Sequence, residues 1–217
     1  SFTADPAAVL NFGGGTLHLL GTTFTDAQNG TLSNQSIIDA TNGSVTNVLV
    51  SGTLSGTGGL TFEGTAGQTV FDLMPAATHD SFTGAVSILS GTLNADMLDV
   101  GVSSNLNIGN TGTLNLTADT GGNTYAGNIT GTGQLNLAFA TAGSTLEIAG
   151  TDKFTGNTVL GSNGNKGTLQ IFNGSFGNIS EGAVGSSLVI GGDPSVAISG
   201  TVILGSNSYT GSTTVNT

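Results

Sequence analysis

Chemistry in this chain has few side chains to draw on. Its charged and imidazole groups are thirteen Asp and Glu, two lysines (Lys153 and Lys166) and two histidines (His18 and His79), with no cysteine and no arginine. The closest-spaced carboxylates are Asp96 and Asp99. Paired carboxylates are what glycoside cleavage needs, one to protonate the leaving oxygen and one to attack or to activate water. On a strand, an offset of three sends them to opposite faces; only a turn would bring them together. Enzymes that hold uronates also use Lys or Arg, and arginine is absent. Calcium chemistry has its nearest match in Gly191-Gly192-Asp193-Pro194, which lacks the G-G-x-G-x-D spacing and does not recur; EF-hand spacing is missing too. An Asp at a turn ordinarily bonds its own backbone. His18 fills the polar slot of Leu17-His18-Leu19 and is expected to face solvent. Two histidines without a cysteine argue against a transition-metal site, and no G-x-S-x-G elbow is present for a nucleophilic serine. Asn-x-Ser/Thr occurs at Asn29, Asn34, Asn42, Asn115, Asn128, Asn173 and Asn178, as a chain this rich in those residues would have by chance. Ice-binding faces repeat Thr-x-Thr in register, and here only isolated cases such as Thr23-Phe24-Thr25 occur. The expectation is a non-enzymatic chain with no catalytic, cofactor-binding or metal-binding residues.

The elements that would position these groups are short strands. Two-residue alternation recurs in Leu60-Thr61-Phe62, Leu106-Asn107-Ile108, Leu114-Asn115-Leu116, Leu135-Asn136-Leu137, Leu146-Glu147-Ile148, Leu169-Gln170-Ile171, Leu188-Val189-Ile190 and Val196-Ala197-Ile198. Each triplet offers two apolar side chains to one face and one mostly polar or small side chain to the other. Gly and Asn clusters, such as Gly13-Gly14-Gly15 and Asn163-Gly164-Asn165, turn the chain between them. Hairpins in an antiparallel sandwich would fit this pattern, as would a parallel solenoid. Spacing favours the solenoid: Leu93, Leu114 and Leu135 are 21 residues apart, while Leu146, Leu169 and Leu188 are 23 and 19 apart. Coils of about twenty residues would stack these leucines in columns, giving nine to eleven coils. The fold expected is all-β, a right-handed parallel β-helix over residues 1–217, the hand following the usual crossover preference. Residues 73–79, with Pro75, are the first candidate excursion from the coil; residues 22–43, polar and weakly patterned, are the second.

One phrase repeats along the chain: Asp80-Ser81-Phe82-Thr83-Gly84, Asn123-Thr124-Tyr125-Ala126-Gly127, Asp152-Lys153-Phe154-Thr155-Gly156 and Asn207-Ser208-Tyr209-Thr210-Gly211. A second, Gly-Thr-Leu, begins at Gly15, Gly30, Gly52, Gly91, Gly112 and Gly167. The aromatics Phe82, Tyr125, Phe154 and Tyr209 are expected to stack. Together the phrases resemble the passenger-associated strand repeats of bacterial autotransporters, most closely over residues 80–217. The resemblance implies an extracellular or cell-surface location and export by the type V route. It also implies a rigid stalk or adhesin that meets a receptor or glycan, on a host or a neighbouring cell.

Composition agrees with parts of this. The net charge is −11, which repels nucleic acid and anionic membranes, and no basic patch exists to reverse that. No run approaches the ~18 apolar residues of a spanning helix. Ser1 to Pro6 has neither the basic nor the apolar region of a signal peptide, and the chain ends inside a copy of its repeat, so it reads as a fragment of a longer protein. Lack of cysteine suits a chain threaded unfolded through a pore. Two other functions fit the same pattern: a self-assembling extracellular filament or matrix protein, and a β-helical enzyme or fibre acting on polysaccharide.

Overall fold

The computed structural model describes residues 10–42, 44–75, 79–101, 104–119, 123–172, 174–190, 202–204, 207–208 and 210–215. Those residues form a parallel β-solenoid of about eight turns, with no helix among them. Each regular coil contributes to three walls. The first wall begins with Leu10–Phe12, Gly30–Leu32, Leu54–Gly56 and Ser81–Phe82. That sheet ends at Ser81–Phe82; residues 97–100 of the next coil are turns, and 102–103 lie outside the described residues. A separate five-stranded sheet starts at Asn123–Tyr125. The second and third walls belong to one sixteen-stranded sheet. Its two longest strands, Val86–Asp96 and Leu106–Ala118, run through both walls without a break.

The register explains the leucine spacing. Leu93 pairs with Leu114 and Leu114 with Leu135. Leu146 pairs with Leu169 and Leu169 with Leu188. On the third wall one inward column runs Phe24, Val48, Phe71, Leu93, Leu114, Leu135, Thr158, Ile179. All of them are buried. Every Leu or Ile in such a column contributes about 1.5–3 kcal/mol on leaving water. Coils run longer than twenty residues, at about 23, which is why fewer turns form than the nine to eleven expected. The longer coils carry corner insertions: Ser55 pairs with Ser81 across the coil that contains Met74 and Pro75.

Two expectations are corrected here. The candidate excursion at residues 22–43 is none over its described part, 22–42, since Thr23–Asp26, Gly30–Leu32 and Ser36–Ala40 are regular strands of the stack. Their pattern looked weak because Asp26 and Ser36 occupy buried inward places that other coils give to apolar side chains. The aromatics do not form one stack. Phe82 and Tyr125 precede the corner into the second wall, whereas Phe154 lies in the second wall and packs edge-on against Phe176, 6.1 Å between ring centres. Tyr209 lies outside the described residues, as does Val196-Ala197-Ile198.

The repeated phrase is a corner device used at two corners. Its aromatic lies over a glycine of the preceding coil: Phe82 pairs with Gly56, and Phe154 with Gly131. A full-sized ring fits where the partner has no side chain. Its own glycine lets successive backbones approach. A Cβ on Gly84 would meet the Gly58 carbonyl carbon at 2.2 Å, and one on Gly156 would meet the Gly133 oxygen at 1.9 Å. Its leading aspartate closes the ladder. Asp80 accepts the Leu54 N–H and Asp152 the Ile129 N–H, each at 2.6 Å. Burial raises the two carboxyls, to about 7 for Asp80 and about 6 for Asp152.

Candidate functional site

The corner leading from the third wall back to the first gathers the chain's scarce ionisable groups. Val86–Asp96 ends at Asp96, and the chain turns at once: the Asp99 N–H donates to the Asp96 carbonyl at 3.1 Å, and the Leu98 N–H to Asp96 Oδ1 at 2.9 Å. This is the turn that the spacing of Asp96 and Asp99 left open, and it places both carboxylates on one side. His79 comes from the same corner one coil earlier. Its Nδ1 lies 2.8 Å from Asp99 Oδ1. One ligand-type atom from each of His79, Asp96 and Asp99 falls within 4.8 Å of the others.

The three differ in exposure. The Asp99 side chain is 6% exposed and the His79 ring 53%. Burial raises the Asp99 carboxyl, against the opposing bond and charge of His79. Burial raises Asp96 as well, helped by the nearby charges of Asp119 and Asp99. Donating to the Asp99 carboxylate raises His79, favouring imidazolium. Asp80, next in sequence, also feels Asp99 and His79, and its Oδ2 is buried without a hydrogen-bond partner. Four carboxylates thus converge near one imidazole.

Beside the cluster a groove of about 380 Å³ opens on the third wall, lined in part by Leu73, Met74, Pro75, Asp96, Asn115 and Thr117. Next to it runs an amide ladder on the outward face. Asn136 Nδ2 donates to Asn115 Oδ1 (2.8 Å), Asn115 to Asn94 (2.6 Å) and Asn94 to the Asp72 carboxylate (2.7 Å). Alternation places Asn115 and Asn136 outward, but the ladder itself went unread. Its signal was available: Asn94, Asn115 and Asn136 are 21 residues apart, the spacing of the leucines beside them.

No family model, curated protein or solved structure matches the chain.

The remaining candidates disperse. His18 is exposed, as expected, and pairs with Asp39 at 2.7 Å on the second wall, two coils before His79 and away from its corner. Asp193, with its neighbouring glycines, lies outside the described residues, and so does Asn173. Most of the Asn-x-Ser/Thr asparagines bond the adjacent coil: Asn34 to Gly13 O, Asn29 to Thr53 N–H, Asn128 to Thr151 N–H, Asn178 to Asn157, and Asn115 within the ladder. Thr23 and Thr25 pair with Asn47 and Leu49, so the Thr-x-Thr pair is not continued in the next coil.

Proposed function

We propose that the chain is a non-catalytic section of a β-helical stalk or adhesin on a bacterial surface, exported as an autotransporter passenger by the type V route. The observation that supports this reading most directly is the one-to-one register between coils. A coil leaving a pore finds its template already folded. Adding the coil that carries Leu106, Ile108, Leu114 and Leu116, all buried, gains about 1.5–3 kcal/mol per side chain. That gain favours outward movement without ATP outside the cell. The outward surface of Thr, Asn and Asp, with the groove on the third wall, suits a receptor or glycan partner. The net charge of −11 does not suit nucleic acid.

The test is display. With a signal peptide before it and a translocating barrel after it, the chain is expected to reach the outer face of cells and become accessible to added protease. Leu135→Asp, which puts a charge into the inward column, is expected to abolish display. Equal display of the variant and the parent would overturn the proposal.

A further inference from the structure

We propose that His79, Asp96 and Asp99 form a binding site for a divalent cation of borderline softness, with zinc the best match. The donors suit it: one imidazole nitrogen and two carboxylate oxygens. Zinc takes that mixture, whereas calcium and magnesium prefer oxygen alone. The spacing suits it as well. Tetrahedral zinc with bonds of about 2.0–2.1 Å holds its ligand atoms about 3.3 Å apart. His79 Nδ1 and Asp99 Oδ1 are already 2.8 Å apart, and one ligand atom from each of the three residues lies within 4.8 Å of the others. Small side-chain rotations close the set, the cation replacing the proton that Nδ1 and Oδ1 share.

Two features beyond the donors point to a ligand. First, the Asp96 carboxylate is held by a backbone group: the Leu98 N–H fixes its Oδ1. Such outer contacts orient metal ligands. Second, negative charge is gathered here without a matching cation. Asp80, 6% exposed with Oδ2 buried and unpartnered, adds its charge beside Asp99 and His79 as it ionises near pH 7. Asp119 adds to the charge on Asp96. The chain's two lysines stand in later coils, at Lys153 and Lys166. A divalent ion would neutralise what one imidazole cannot. With three protein ligands and a half-exposed His79 ring, the fourth position opens outward, which is the arrangement that lets a bound zinc take a further ligand.

The experiment is calorimetric titration of the whole chain, stripped with chelator, with zinc chloride at pH 7.5 and separately with calcium chloride. One saturable zinc site per chain is expected, together with a rise in Tm on adding zinc. His79→Ala should weaken zinc binding by about tenfold or more and remove the Tm rise. Asp96→Asn should weaken it comparably, and His18→Ala should leave it unchanged. His79 is partly exposed, so its variant should fold; His79→Gln and an unchanged circular dichroism spectrum guard that point. Cobalt substitution should give the intense visible absorption of a four-coordinate ion, lost in both His79 variants. The proposal is overturned by absent zinc saturation, by His79 variants that bind like the parent, by His18→Ala losing as much, or by calcium binding more tightly than zinc.

Discussion

Two histidine–aspartate pairs bridge neighbouring coils of this solenoid, and only one of them builds a site. His18 and Asp39 are register partners on the outward face of the second wall, 2.7 Å apart. His79 and Asp99 meet at a corner, 2.8 Å apart. The Asp39 side chain is 13% exposed beside an exposed His18 ring, and its carboxyl is lowered, first by the Thr41 hydroxyl and then by the Thr41 N–H. Asp99 is raised by burial. The flat wall gives His18 a single carboxylate in reach, because outward neighbours on a strand are two residues apart and point the same way. The corner folds its backbone back, so Asp96 and Asp99 both face His79. Surroundings, not the pair itself, separate a solvated ladder contact from a convergent site.

The largest expected difference lies in the corner that carries Ser81–Phe82. Gly84→Ala forces a Cβ onto Gly58 backbone atoms at 2.2 Å and is expected to cost about 3 kcal/mol. Gly13→Ala, which precedes the His18 strand and meets nothing within 4 Å, should stay within about 0.5 kcal/mol. Urea unfolding of both measures this, and equal costs would break the comparison at its base. Next come the aspartates. Asp99→Ala removes a carboxylate that is only 6% exposed, with its bond to His79, and should cost about 1–3 kcal/mol; Asp39→Ala, losing the bonds to Thr41 and His18, should cost less than about 1 kcal/mol. A reversed order would show that burial is not what distinguishes the pairs.

A third aspartate sharpens the point through pH. Asp152 repeats the Asp80 bond but has no histidine beside it. Its carboxyl is raised to about 6 by burial, so the folded chain binds more protons than the unfolded chain between about pH 4 and 6. Stability from this group is therefore greatest below its unfolded value. It falls as pH rises through that window, then levels off. Asp152→Asn keeps an acceptor for Ile129 N–H and should flatten the trend by about 1 kcal/mol in unfolding midpoints taken from pH 4.5 to 7.5. A variant trend as steep as the parent's would assign the slope to other groups. The smallest effect is expected from the rings: His18→Ala and His79→Ala should each shift unfolding by no more than about 0.5 kcal/mol without metal. A larger loss for His79→Ala alone would make it a structural prop.

Much of the wall was legible in the sequence. Leucines 21 residues apart had to be neighbours once alternation put them all inward, and Leu93, Leu114 and Leu135 are. The corners were harder. Phe82 and Phe154 sit in near-identical phrases, yet one precedes the second wall and the other lies within it. The phrase encodes a tight backbone approach, not an address. The meaning of the Asp96 and Asp99 spacing hangs on whether the strand ends at Asp96. Nothing local to Asp96 says that His79, one coil back, stands opposite.

What the sequence determined by itself is the period and the sidedness of this chain. Those depend on neighbours two residues apart and on a recurring coil length, and both are written in the order of residues. The tertiary structure alone decided which polar groups converge. A corner inserts or drops residues without disturbing the stacked strands, so the distance between side chains there depends on how two coils turn, and only the folded backbone fixes that.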